Sequence, residues 1–425
     1  LTKIQDLEQI VKNENVVDVP NLVTLLTKKM PTQRQLFLKH VAQTSPEPMM
    51  IDVMEAQGCI IHGRNGMSYI DLNAGISVCS LGHCHPAIVK AVQDQASQYM
   101  HTMVYGEHLQ TPQIQLASKL SEMLPSSLSQ VYFVNSGSEA VEGAMKLAKR
   151  YTGRYEIVSS ANAYHGSTHG ADSLRSDQWG TGAYRPLVPG ISHITFNDMH
   201  SLEMITKRTA CVITEVIQAE AGIFPANEQF LRALRQKCDE TGTLLIFDEI
   251  QTGYGRTGSL FAFEKYGVVP DVLLLAKAMG GGMPIGAFVS SPEIMKVFTH
   301  HPVLGHITTF GGHPVCCAAG YAMLNSLIEE QVIDSVLEKE KLFHGELDHP
   351  EVEEIRSAGL MMAVQLKSEE VLMQVVQYCW GNGVLLDWFL FNTSALRISP
   401  PLIISEDQIK KACSVIRAGL DAARK

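Results

Sequence analysis

In LLLAKAMGGG, residues 273–282, a single lysine stands between an apolar run and three glycines. A primary amine at the end of a buried strand has two uses. It can snorkel to water, as most lysines do, or stay desolvated for covalent chemistry with a carbonyl. Four other segments bear on which use Lys277 has. Asn135-Ser136-Gly137-Ser138 follows the run VYFV, Glu215 ends ACVIT, Asp248-Glu249 ends LLIF, and Tyr164-His165-Gly166 follows YEIVSS. Each offers a distinct chemistry. The small-residue turn before SEAVEGAMKLAKRY is a helix N-terminus that Ser136 or Ser138 can cap, with Gly137 letting backbone N–H groups approach an anion. Asp248 is a carboxylate that needs a cationic or donating partner, such as a protonated pyridine nitrogen. Tyr164 can cover the face of a ring. Arg397, in LRISPP, can clamp a carboxylate, and Glu215 and Glu220 in TEVIQAEAG can face it or the surface.

These groups come from separate segments, so a scaffold must gather them. VYFVN (131–135), YEIVSS (155–160), ACVITEV (210–216), TLLIFDEI (243–250) and VLLLA (272–276) are continuous β-rich runs suited to strands buried on both faces. Helical patterns such as NEQFLRALRQKCDETG lie between them. The alternation predicts an α/β fold, a doubly wound, mostly parallel sheet, whose ligands sit at the carboxyl edge of the strands. Beyond residue 325 the texture changes to charged helices (NSLIEEQVIDSVLEKEKLFHGEL) and short strands such as MMAVQLK, a smaller α+β domain. IIHGRNGMSYIDLN reads as a hairpin joining it. The expected division is 1–75 for an N-terminal helix or arm and the hairpin, 76–325 for the large domain and 326–425 for the small one.

With 425 residues, 45% hydrophobic and 18% charged, the composition is that of a globular protein. A net charge of −10 without a basic run leaves no footprint for nucleic acid or anionic lipid, and the apolar runs are too short to span a bilayer. The start, LTKIQDLEQIVKNENVV, reads as an amphipathic helix rather than a signal peptide, with Met30 as a possible internal start. Nine scattered cysteines without a C-x-x-C pair suit a reducing, cytoplasmic setting. GHCHP and HHPVLGH lack a second ligand cluster, so no metal is expected. Gly253-Tyr254-Gly255-Arg256-Thr257-Gly258 matches a dinucleotide fingerprint, yet Asp271 precedes the next strand and SLFAFEKYG is short for a crossover helix.

Taken in order, NSGSEAVEGAMKLAKRYTGR, AYHGSTHG, FDEIQTGYGRTG, PDVLLLAKAMGGGMPIGA, TTFGGHP and LRISPPL resemble a class III (ω-amino acid) pyridoxal-phosphate-dependent aminotransferase, over roughly residues 50–420. The overall texture is nearest the acetylornithine/ornithine group. The resemblance implies the type I fold of such transferases and a homodimer. It implies that Lys277 joins covalently to the aldehyde of pyridoxal 5'-phosphate and that Asp248 pairs with its pyridine nitrogen. Gly137 and Ser138 bind the phosphate, which Thr309 reaches from the other subunit. Tyr164 stacks on the ring, Gln251 sits near the ring hydroxyl, and Glu215 lies by the cofactor. Arg397 holds the α-carboxylate of 2-oxoglutarate or glutamate, and Glu220 masks Arg397 while the donor is bound.

Departures bear on the substrate. Ornithine aminotransferases have tyrosine at Ile76, and acetylornithine and 4-aminobutyrate enzymes usually carry arginine at Ser167. Val216 and His313 replace a usual proline and asparagine, expected to adjust loops only. The resulting expectation is ω-amino transfer from N-acetylornithine or ornithine to 2-oxoglutarate. Alternatives are a broader ω-amine or 4-aminobutyrate enzyme, an aminomutase, or an NAD-dependent dehydrogenase.

Overall fold

The computed structural model describes residues 31–423. The amphipathic helix expected at the start lies outside them. The chain divides into two compact units, residues 1–54 with 63–65, and residues 55–62 with 66–425. Within the described part of the first, a short helix, Gln33–His40, begins with a capping box. Gln35 N–H donates to Thr32 Oγ1 (3.2 Å) and Thr32 N–H to Gln35 Oε1 (2.9 Å).

The second unit is built on a seven-stranded sheet. Its strands lie in the order Gln130–Val134, Gly286–Ser290, Val272–Leu275, Leu244–Asp248, Thr209–Glu215, Glu156–Ser160 and Ile191–Ile194. All pair in parallel except Gly286–Ser290, which runs against both neighbours. The five β-rich runs read from the sequence are five of these strands. Leu244–Asp248 and Val272–Leu275 are buried along their whole length, which is why their sequences do not alternate.

Helices on the sheet follow from apolar faces. Gly137–Thr152 buries Val141, Ala144, Met145 and Ala148 at helical spacing, and Glu228–Thr241 buries Phe230, Leu231, Leu234 and Cys238. The hairpin Ile60–Gly63 with Ser68–Asp71 is present, and its second strand pairs in parallel with Val384–Leu385. A second antiparallel sheet orders Val352–Ser357, Met362–Leu366, Ala395–Ile398 and Asp387–Trp388. Among the described residues, no helix is long and apolar enough to cross a membrane.

The glycine fingerprint at 253–258 opens no crossover helix. A five-residue 3-10 turn, Ala262–Tyr266, follows it. Its Arg256 is fully buried and donates to the carbonyls of Leu360 (3.1 Å) and Pro400 and to Ser80 Oγ (3.3 Å). Burial pulls the guanidinium pKa down to about 9, so these acceptors are what keep it in place. Asp271 is occupied as well: it accepts from Arg235 (2.9 Å) and from Leu245 N–H (2.7 Å). The loop therefore stitches the large sheet to the C-terminal segments, a structural role where the fingerprint suggested a nucleotide. The histidines of GHCHP are likewise taken by carboxylates, His83 by Asp71 (2.8 Å) and His85 by Glu330 (3.1 Å).

Candidate active site

Four adjacent strands deliver the chemistry. Lys277 follows Val272–Leu275, Asp248 ends Leu244–Asp248, Glu215 ends Thr209–Glu215, and Tyr164-His165 follows Glu156–Ser160. Parallel register sets Asp248 directly beside Glu215 and beside Leu274, so the polar ends of the strands fall level at the carboxyl edge. Past the antiparallel strand, Gln130–Val134 adds Asn135 to Ser138 from the other side. Together they line a cavity of about 630 Å³.

Lys277 lines this cavity and takes no hydrogen bond among the described residues. Its backbone is left-handed (φ 48°), and Gly282 (φ 109°) turns the chain back behind it, a conformation open to glycine. The amine's pKa is lowered, chiefly by burial and further by the charge of Arg397. Glu220, Asp248 and Glu215 oppose that shift. A buried amine with depressed basicity is a nucleophile and a base near neutral pH.

Asp248 is 4% exposed. Its Oδ1 accepts from Ile250 N–H (3.0 Å) and its Oδ2 from His165 Nδ1 (2.7 Å). Burial pushes the His165 pKa down, but the Asp248 hydrogen bond and charge, with Glu215, raise it overall. His165 Nε2 is buried without a partner. This histidine was not assigned a role from sequence. The available signal was its place beside Tyr164 in a loop leaving a buried strand. Glu215 accepts from Ala219 N–H (3.0 Å) and Tyr164 N–H (3.4 Å), and burial pushes its carboxyl up to about 7. Glu249, grouped with Asp248 in the sequence, serves the fold: it accepts from the N–H groups of Ala262 and Phe263 (2.8 and 2.7 Å) and from Thr252 (2.9 Å).

At the helix N-terminus, Ser136 is the cap, accepting from Glu139 N–H (3.2 Å). That frees Ser138, whose Oγ accepts from Ser167 N–H (2.9 Å). The loop passes so close that a Cβ on Gly166 (φ 126°) would lie 1.8 Å from Ser138 Oγ. Gly166→Ala should therefore push the loop off the helix end. We expect pyridoxal phosphate to bind about tenfold or more weakly, the worth of one charge-assisted hydrogen bond. Fluorescence titration of the apoprotein reads this, with circular dichroism reporting an intact fold. Glu142 anchors the far side of the same loop through Thr168 Oγ1 (2.7 Å) and Gly170 N–H (2.8 Å).

Tyr164 lines the cavity, its hydroxyl sharing a hydrogen bond with Ser167 Oγ (3.0 Å). Gln251 also lines it, with its amide turned toward Glu220 (3.4 Å). Arg397 and Glu220 stand behind this wall as an ion pair, Nη1 to Oε1 at 2.5 Å. Besides Arg397 and Glu220, two further expected residues do not line the cavity of their own chain. Ile76 is 42% exposed, and Val78 two residues on lines the cavity instead. Thr309 is exposed, while its neighbour Thr308 accepts from Asn135 Nδ2 (3.3 Å).

The cavity thus presents a helix N-terminus, a buried carboxylate held by an imidazole, and an amine of lowered basicity. That donor set fits a phosphorylated pyridine aldehyde. The comparisons agree. A model of the aminotransferase class-III family matches residues 41–420. The acetylornithine aminotransferase of Methanopyrus kandleri is 39% identical over 378 residues, 88% of this chain and 95% of that protein. That of Methanocaldococcus jannaschii is 39% identical over 369 residues, 84% and 90%. The crystal structure of the ornithine aminotransferase from Toxoplasma gondii ME49 matches with a TM-score of 0.85 at 28% identity, covering 96% of this chain and 99% of that one. With a family match running nearly end to end and an amine, a carboxylate and a helix N-terminus around one cavity, this chain belongs to the class III aminotransferases, pyridoxal-phosphate-dependent transaminases.

Proposed function

We propose that the chain transfers the ω-amino group of an ornithine-like donor, N-acetylornithine or ornithine, to 2-oxoglutarate in a two-stage, ping-pong reaction. The observation that carries it is the Arg397–Glu220 pair behind the cavity wall, whose charges act on Lys277. A guanidinium that can be covered or uncovered suits a site that alternates between an ω-amine and a carboxylate next to the reacting carbon. The likeness to acetylornithine aminotransferases supports the donor class.

Gly137 and Ser138 would hold the phosphate at the helix N-terminus, and Asp248 would meet the pyridine nitrogen. Tyr164 would cover the ring, Glu215 would hold the Tyr164 backbone against it, and Gln251 would reach the ring hydroxyl. In a homodimer, Thr309 would approach the phosphate of the opposite site. When bound, the cofactor supplies a sink for the electron pair left as a proton departs from the substrate carbon. Lys277 Nζ, its basicity lowered by burial, takes that proton and returns it. Asp248, with His165 donating to it, would keep the ring nitrogen protonated. Glu220 covers Arg397 while the donor is present and withdraws for the carboxylate of the oxo acid.

A broader ω-amine specificity is the second reading. It rests on Ser167, whose hydroxyl is turned to Tyr164 and leaves that wall without a cation for a donor carboxylate. Visible absorption of the holoenzyme separates the two. Under the first reading, N-acetylornithine or ornithine bleaches the yellow band and 2-oxoglutarate restores it. A band that neither donor moves, but simple ω-amines bleach, favours the second. A band unmoved by any amine overturns both.

A further inference from the structure

Arg397 has two carboxylate partners, and they are not alike. Its Nη1 donates to Glu220 Oε1 (2.5 Å). Its Nε donates to Asp387 Oδ1 (2.8 Å) and its Nη2 to Asp387 Oδ2 (3.2 Å), a bidentate pair along the Nε–Nη2 edge. The remaining Nη2 hydrogen goes to the carbonyl of Trp388 (2.8 Å). The guanidinium lies 5.2 Å from the Phe389 ring centroid, so one face is covered too. Among the described residues, four of its five N–H donors are engaged, and the open one is on Nη1.

The two carboxylates also differ in how firmly they are held. Asp387 stands opposite Arg397 in the antiparallel pair of Asp387–Trp388 with Ala395–Ile398. It accepts a third bond from Asn73 Nδ2 (2.6 Å), and Asn73 is itself oriented by Ile76 N–H donating to its Oδ1 (2.7 Å). Glu220 sits in the turn after Ile217–Gln218 and is held by Arg397 Nη1, by Leu390 N–H (3.1 Å) and by a long contact from Gln251. Withdrawing Glu220 breaks one bond to Arg397, together with the Leu390 N–H bond and the long Gln251 contact. Withdrawing Asp387 breaks two bonds to Arg397 and the Asn73 bond, and disturbs a strand pair.

We propose that Asp387 is a specificity-determining residue, a fixed counter-ion that leaves only Nη1 of Arg397 for an incoming carboxylate and so weakens capture of 2-oxo acids. It acts through Arg397 and is a positioning residue. Without it, a carboxylate takes the planar Nε–Nη2 edge, where two parallel bonds form. With it, the carboxylate must replace Glu220 end-on, beside a second negative charge. The site then discriminates less between 2-oxo acids and carbonyl acceptors that lack the adjacent carboxylate. The inference rests on the reading that Arg397 receives the acceptor's carboxylate.

The test compares wild type with Asp387→Asn, Asp387→Ser and Asp387→Glu holoenzymes. Calorimetry with glutarate, a dicarboxylate that cannot react, reads binding without turnover. Steady-state kinetics with 2-oxoglutarate and with butanal read the acceptor preference. In Asp387→Asn, we expect glutarate to bind about tenfold more tightly and the KM for 2-oxoglutarate to fall by a similar factor, as one charge-assisted bond is gained. The kcat/KM ratio of 2-oxoglutarate over butanal should rise about tenfold with it. Asp387→Glu, which restores the charge, should return toward wild type, and Asp387→Ser should move with Asp387→Asn. Unchanged or weaker glutarate binding in both uncharged variants overturns the proposal, as does an equal shift for butanal. If wild type transfers to no 2-oxo acid, the proposed function fails by that result alone, while the glutarate titration still decides the role of Asp387.

Discussion

Lys277→Ala is expected to stop transamination, lowering kcat by roughly 10⁴-fold or more. The size follows from the cavity having one amine that would serve twice, as the point of covalent attachment and as the base that moves the proton. Lys277 alone lines the cavity among the lysines of the described residues, and burial together with Arg397 lowers its pKa. Alanine removes the amine without enlarging any side chain, and the strand Val272–Leu275 is buried independently of it. Borohydride reduction followed by intact-protein mass measurement checks attachment: wild type should gain the cofactor's mass less the water lost on condensation and plus the two hydrogens of reduction, and the variant should not. Added methylamine should restore a small part of the turnover. A variant that turns over at the wild-type rate would remove Lys277 from the mechanism.

Asp248→Asn is expected to lower kcat by about 10²–10³-fold, the range for removing one preorganised electrostatic partner in a buried site. Asparagine keeps the shape: its one carbonyl oxygen can still accept from Ile250 N–H, while its amide nitrogen, in place of Oδ2, can donate to an unprotonated His165 Nδ1, so the fold should persist. What it loses is the charge that would keep the ring nitrogen protonated. His165 supplies an independent readout. Its pKa is raised because the bond and charge of Asp248, with Glu215, outweigh burial. A raised folded-state pKa means that the pair stabilises the protein below the unfolded histidine value. That contribution is lost as pH rises through the folded one. In Asp248→Asn, burial wins and the His165 pKa falls, so this stability contribution shrinks and its loss moves to lower pH. Histidine NMR titration and melting temperature against pH, both on the apoprotein, check this apart from catalysis. Unchanged His165 titration would mean that Asp248 does not hold the imidazole charged.

Most of the scaffold could be read in the order of residues. Five unbroken β-rich runs separated by amphipathic helices leave little besides a parallel α/β sheet, since strands covered on both faces lose the period of two. The motif set from Asn135 to Leu402 also pointed to the family, and Lys277, Asp248 and Ser138 were conspicuous because each sits where an apolar run gives way to a turn. What no local rule supplied was the pairing of distant side chains. His165 and Asp248 are 83 positions apart, and parallel register brings their strand ends together on one edge. The Ser136–Ser138 turn left two possible caps; backbone geometry at Ser136 and the approach of the Gly166 loop decided between them. Asp387 obeys the rule that picked out Asp248, a carboxylate closing a buried run, yet it drew no notice, because its partner is set by an antiparallel register ten residues on. The position of Thr309 away from its own cavity follows from the path of the loop before Pro314–Glu329. Residue types and local periodicity thus determined the strands, the helices and the chemistry available. Long-range register and packing decided which charges meet, because ion pairs across a sheet depend on the relative alignment of segments that carry no mark of one another.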